Sequence, residues 1–162
     1  MTFIIMGVAG CGKSTVGRAL AAALACPFFD GDDFHPPENV EKMANGIPLT
    51  DEDRVPWLSR LNQLLHGAAG GRAVLACSAL KKNYRTQLRT GEADVQFIYL
   101  AGDYETLRAR LAGREGHFMK PGMLKSQFAA LEPPVGEDAF TIDADQPVAQ
   151  IIHTILEQVR SR

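Results

Sequence analysis

Cysteine is scarce and unpaired in this chain: Cys11, Cys26 and Cys77 form an odd set with no Cys-x-x-Cys among them. That excludes a disulfide framework and a zinc knuckle, and the expected compartment is the reducing cytoplasm. Excess charge is missing as well, since 17 Lys and Arg against 19 Asp and Glu leave a formal net charge of -2. No basic field draws in nucleic acid or an anionic membrane, so an anionic ligand has to be gripped locally. No apolar run approaches the roughly 20 residues that cross a bilayer, and the opening residues read as a strand, not as a charged leader with a long apolar run. Internal repeats, linkers and low-complexity tracts are absent too. What remains is 162 residues, 46% of them hydrophobic, which suits one domain over 1–162 with a real core.

Five short apolar runs stand out: "TFIIM" (2–6), "PFFD" (27–30), "RAVLACS" (72–78), "VQFIYL" (95–100) and "AFTID" (139–143). They are nearly continuous, not alternating, which predicts strands covered on both faces, as in a parallel sheet between helices. Between them lie helical stripes, Val16, Leu20 and Leu24 in the first and Val148, Ile151, Ile155 and Val159 in the last. The expected class is therefore α/β, with three layers in the order α/β/α. Residues 34–67 form an insertion between the second and third strands. Pro36 and Pro37 start a helix there, Gly46 stops it, and Thr50 with Asp53 opens a second helix through Leu58, Leu61 and Leu65. Trp57 is expected to anchor this insertion. Asp103 caps a later helix, and residues 113–122 are a candidate lid, in which "EGHFMKPG" holds two glycines and a proline around cations.

The strongest motif is "GVAGCGKST", Gly7 to Thr15, which fits G-x-x-x-x-G-K-[ST] and lies between a strand and a helix as that motif requires. Gly7, Val8, Ala9, Gly10, Cys11, Gly12, Lys13, Ser14 and Thr15 are thus the expected ATP-binding residues. Glycines allow the tight turn, backbone N–H groups face phosphate oxygens, and the following helix adds its positive end. Lys13 is expected to bridge the β- and γ-phosphates, and Ser14 to ligate magnesium. Cys11 simply fills a loop position. A guanine-reading Asn-Lys-x-Asp and a switch Asp-x-x-Gly are both missing. The third strand runs into Ser78, where many P-loop ATPases carry a magnesium-holding aspartate, so a second acid has to come from elsewhere.

"FFDGDDFHPPEN" (29–40) supplies it, because Asp30 closes the second strand at the rim where open α/β sheets bind ligands. Period-two geometry aims Asp30 and Asp32 the same way: Asp30 toward the metal, Asp32 toward an acceptor hydroxyl as its base. Asp33 is expected in solvent. His35 either caps a helix or touches substrate.

Together "MGVAGCGKSTVG", "FFDGDDFHPPENVEKMANGIPLTDEDRVPWL", "LACSALKKNYR", "REGHFM" and "SQFAALEPP" resemble small P-loop gluconokinases, in order from Met6 to Pro134. The resemblance implies ATP- and Mg2+-dependent phosphorylation of D-gluconate to 6-phosphogluconate. It also implies the fold of nucleoside monophosphate and shikimate kinases, a five-stranded parallel sheet in the order 2-3-1-4-5, and a homodimer. Arg54 is the first candidate for the gluconate carboxylate, which a guanidinium grips through two parallel bonds; the alternative pairs it with Asp51 or Asp53. Lys81 faces the same rim as a contact for gluconate or phosphate, Lys82 is expected in solvent, and Arg85 is a further substrate candidate. Kin carry an acid after that Tyr-Arg pair where this chain has Thr86. Arg110 and Arg114 share a helical face, suited to adenine and to the transferring phosphate, and the loop 143–147 resembles one that borders adenine. By resemblance His117 contacts gluconate, and with Lys120 it lies in the candidate lid. Shikimate kinase is the nearest rival, and Glu132 is expected to repel a shikimate carboxylate. A noncatalytic ATP-gated module is the alternative from another class; a base beside the metal speaks against it.

Overall fold

The computed structural model describes residues 1–68, 71–91, 93–113 and 121–162. Its centre is a five-stranded sheet in the order β2-β3-β1-β4-β5. The strands are β1 Thr2–Met6, β2 Phe28–Asp30, β3 Ala73–Ala76, β4 Val95–Ala101 and β5 Ala139–Asp143. Every pairing is parallel, with Asp30 opposite Ala76, Ile5 opposite Ala76, and Met6 opposite Tyr99. All five carboxyl ends therefore reach one rim, and the loops that leave them form the site.

Seven α-helices surround the sheet among the described residues: α1 Lys13–Leu24, α2 Pro37–Ala44, α3 Asp51–Gly67, α4 Lys82–Leu88, α5 Tyr104–Ala112, α6 Pro121–Ala130 and α7 Val148–Arg160. Successive side chains of β1 separate into two cores. Phe3 and Ile5 join Val16 and Leu20 of α1 and Ile151 and Ile155 of α7. Ile4 and Met6 face the other way, onto Trp57, Leu58 and Leu61 of α3 and Tyr84 and Leu88 of α4. This double burial is why the strands read as unbroken apolar runs; each large apolar side chain so covered contributes about 1.5–3 kcal/mol.

The strands nearly coincide with the sequence expectation, the second and third being shorter at 28–30 and 73–76. In the insertion Thr50 and Asp53 form the reciprocal capping box that starts α3. Pro56 falls inside α3 at its sixth residue, so the bond that an N–H there would give the Glu52 carbonyl is missing. No described helix is long and apolar enough to cross a membrane.

Candidate active site

The loop from β1 into α1 is shaped by close approach. At Gly7 φ is +148°, and a Cβ would stand 2.8 Å from Cys11 Sγ and 2.9 Å from the Leu100 carbonyl oxygen. Cys11 is buried beneath the loop, so its side chain packs instead of facing a ligand. Gly12, in the left-handed region at φ 95°, leads into α1, which has no side-chain cap and no acid in its first turn. Its first N–H groups are left open to an anion, where the helix dipole favours negative charge. The Lys13 ammonium folds back over the loop and donates to the Val8 carbonyl at 3.1 Å.

Asp30 joins this loop to the acidic turn. One carboxylate oxygen accepts from Ser14 Oγ at 3.3 Å and the other from the Asp32 N–H at 3.0 Å, capping the 3-10 turn Gly31–Phe34. The Ser14 hydroxyl and the Asp30 carboxylate are hard oxygen donors side by side. This set fits magnesium, which commonly takes one or two protein oxygens and completes its shell with phosphate and water. Asp33 is exposed, as expected.

Although the Asp32 side chain stands 84% exposed, the protein around it and the neighbouring Asp30 carboxylate raise its pKa, with Lys13 pulling the other way. His35 Nε2 lies 3.9 Å from Asp32 Oδ1. The ring is buried and stacks on Trp57 with centroids 4.2 Å apart, while the indole N–H donates to the Gly31 carbonyl at 2.7 Å. Trp57 thus anchors the insertion to the acidic turn. Asn39 Nδ2 donates to the Asp53 carbonyl at 2.9 Å and faces His35 Nδ1 at 3.3 Å. An amide nitrogen only donates, so Nδ1 accepts and the imidazole proton sits on Nε2, toward Asp32. Burial, helped by the Arg54 charge, lowers the His35 pKa to about 4. Sequence reasoning missed this arrangement: His35 is held inside the protein by Trp57 and Asn39, with Nε2 beyond hydrogen-bond reach of Asp32. Beneath the cluster, burial pushes the Cys77 thiol up to about 12, which leaves it unreactive.

The insertion supplies the opposite wall. Arg54 donates to the Leu49 and Thr50 carbonyls and to Tyr84 Oη at 3.3 Å, with its guanidinium 5.3 Å from the Tyr84 ring centroid. The two acids that compete for it are already engaged. Asp53 binds Lys42 at 2.8 Å, and Asp51 binds Lys81 at 3.0 Å and the Tyr84 hydroxyl. Among the described residues Arg54 forms no ion pair, and it remains available for a substrate carboxylate. Lys81 does not: the ammonium expected on gluconate or phosphate is held by Asp51, and both of its neighbours, Asp51 and Tyr84, raise its pKa.

Arg85 requires a larger correction, because it is 1% exposed and all five of its donors are used inside the protein. Nε and Nη2 grip Glu137 at 2.9 and 2.7 Å, Nη1 reaches the Ala79 and Leu80 carbonyls, and Nη2 also reaches that of Glu132. Ala79 sits at φ 46°, so this guanidinium fastens a left-handed turn after β3. Arg85 is therefore structural and not a substrate ligand. Thr86 is exposed and turns back onto the Lys82 carbonyl at 3.1 Å. Glu132 is likewise not in the cleft, since its carboxylate caps α4 by accepting from Lys82 N–H at 2.8 Å. Repulsion of shikimate by Glu132 thus loses its basis.

Arg110 donates to the Ala144 carbonyl at 3.1 Å and to Asp145 at 3.2 Å, which unites it with the loop 143–147. Arg114, His117 and Lys120, and with them most of the candidate lid 113–122, lie outside the described residues. Gln127 of α6 was not singled out in sequence, yet its Oε1 accepts from the Ala9 N–H at 2.8 Å. Only the block "SQFAALEPP" pointed to its neighbourhood.

The shikimate kinase family model matches residues 9–160 of this chain. The thermosensitive gluconokinase of Escherichia coli is 48% identical over 154 residues, covering 93% of this chain and 82% of that protein. The gluconokinase of Gluconobacter oxydans is 49% identical over 137 residues, or 83% and 76% of the two chains. A crystal structure of a gluconokinase from Sinorhizobium meliloti superposes with a TM-score of 0.88 at 43% identity, covering 96% of this chain and 89% of the other. A shikimate kinase from Aquifex aeolicus shares the fold, with a TM-score of 0.65 at 16% identity.

Proposed function

The chain belongs to the shikimate kinase family and, by its relatives, to the gluconokinases within it; from that premise we propose transfer of the γ-phosphoryl group of ATP to the 6-hydroxyl of D-gluconate, giving 6-phospho-D-gluconate and ADP. The observation that carries the assignment of roles is the shape of the rim. Lys13, Ser14, Asp30 and Asp32 converge on one side, and Arg54, with no carboxylate partner among the described residues, faces them from the insertion.

The loop N–H groups and the start of α1 hold the phosphates, and Lys13 leaves Val8 for the β- and γ-oxygens as charge spreads over the transferring group. Ser14 and Asp30 would hold magnesium, which supplies charge neutralisation across the phosphates when bound. Arg54 grips the gluconate carboxylate and so fixes which end of the sugar acid reaches the γ-phosphate. Asp32 orients the 6-hydroxyl. It takes the hydroxyl proton as the new O–P bond forms. His35, buried against Trp57 and neutral, does not compete for the proton. Arg110 and the loop 143–147 border the adenine, with Arg114, His117 and Lys120 assigned to phosphate and substrate by resemblance. The enzyme is expected to work in the cytoplasm as a homodimer, which sedimentation of the purified protein checks.

The deciding experiment follows ADP release with ATP and Mg2+ while gluconate, shikimate and nucleoside monophosphates are offered in parallel. Turnover with gluconate alone is the expected result. Equal or greater turnover with shikimate, or ADP release that ignores gluconate, overturns the reading.

A further inference from the structure

Two helices close on adjacent residues of the phosphate loop. In the last turn of α5, Leu111 packs over Gly10 so closely that a Cβ there would stand 3.1 Å from Leu111 Cγ. From α6, Gln127 accepts the Ala9 N–H at 2.8 Å. The second contact reaches further than docking. The Ala9 N–H and the Val8 carbonyl belong to one planar trans peptide and point in opposite directions. Gln127 holds one edge of that plane, and the Lys13 ammonium, at 3.1 Å, is bound to the other. The Cys11 N–H also donates to the Val8 carbonyl, at 3.3 Å, so the same plane sets the turn of the loop.

We propose that Gln127 is a positioning residue for phosphoryl transfer: through the Val8–Ala9 peptide it fixes the place from which Lys13 reaches the nucleotide. The side-chain oxygen has to be the group that faces the loop, because Ala9 N–H is a donor and the Gln127 amide nitrogen accepts nothing. Rotation of this peptide would carry the Val8 carbonyl away from Lys13. An isolated helix contact has no such consequence. Gln127 acts through Lys13 and does not itself touch the reacting atoms.

The role rests on the ATP-dependent reaction proposed above, but its binding test is made without an acceptor, so an error in the acceptor leaves that result untouched. Gln127→Met keeps the side-chain length and removes the oxygen. Calorimetric titration with a nonhydrolysable ATP analogue and Mg2+ is expected to show Kd raised fivefold or more. In a Lys13→Ala background the same change is expected to move Kd less than twofold, because the partner through which it acts is gone. In steady state the variant is expected to lose tenfold or more in kcat with gluconate KM within twofold. Equal effects in both backgrounds would show that Gln127 only docks α6, and tighter binding would show that it competes with phosphate for Ala9; either result overturns the proposal, as does an unchanged Kd. If the Met variant does not fold, Gln127→Asn, one methylene too short to reach Ala9, enters the same cycle with the same expectations.

Discussion

The nucleotide end and the acceptor end of this cleft are built by different means. The nucleotide end is mostly backbone: a glycine-shaped loop, an uncapped helix start and a strand-end carboxylate, all within Gly7–Thr15 and Phe28–Asp32. The acceptor wall is a mesh of side chains brought from far apart. Tyr84 meets Asp51 across 33 positions, and Arg85 meets Glu137 across 52. A backbone site is specified by a short contiguous pattern, whereas a side-chain site depends on which charges the tertiary fold has already paired.

The sharpest way to test that division is to change one residue on each side. Asp32→Asn, at the junction, is expected to lower kcat about 10^3-fold while leaving ATP KM and stability near those of the parent. Loss of less than tenfold would remove Asp32 from the role of base. Arg85→Met, in the mesh, is expected to do the reverse. It strands the Glu137 carboxylate and three carbonyls, costing about 3–4 kcal/mol in urea unfolding. A folded variant of parental stability but raised gluconate KM would return Arg85 to the substrate site.

A pH series tests the burial of His35. His35 titrates near 4 when folded and near 6.5 when unfolded, so as pH falls the unfolded chain takes up the proton first. Stability from this group is full above pH 6.5 and is lost as pH falls toward 4. By pH 5 the loss is about 2 kcal/mol in urea midpoints, and His35→Gln is expected to flatten it. A slope unaltered by His35→Gln would place the titration elsewhere. Arg54→Lys keeps the charge but loses the fork, and is expected to raise gluconate KM about tenfold with ATP KM unchanged. Parallel increases in both would mean that Arg54 serves the nucleotide. Smallest, Tyr84→Phe removes the hydroxyl between Asp51 and Arg54 and is expected to raise gluconate KM about threefold. No change in that KM would show that Arg54 is held by the Leu49 and Thr50 carbonyls alone.

Legibility in the sequence follows the same division. The phosphate loop, the strand ends and the capping box of α3 are local, and each was readable from consecutive residues. Arg54, Lys81 and Arg85 carry the same signal in sequence, a cation near the rim, yet the fold separates them. Arg54 escapes pairing because Lys42 takes Asp53 and Lys81 takes Asp51; Arg85 is consumed by Glu137 and three carbonyls. Nothing in the spacing reveals which cation finds an internal partner first. His35 and Gln127 were obscure for a related reason, because Trp57 and the Ala9 N–H, which meet them, are brought there only by the folded chain.

The five bonds of Arg85 also have a mechanical meaning. They bind the turn after β3 to the carbonyl of Glu132 and to the side chain of Glu137, and Glu132 is pinned again by its own N–H on Leu80 at 2.8 Å. From Glu132 to the start of β5 the chain is a fixed leaf. α6 ends at Ala130, so the helix that brings Gln127 to Ala9 is anchored directly at its C-terminal end, where Leu131 packs against both cores.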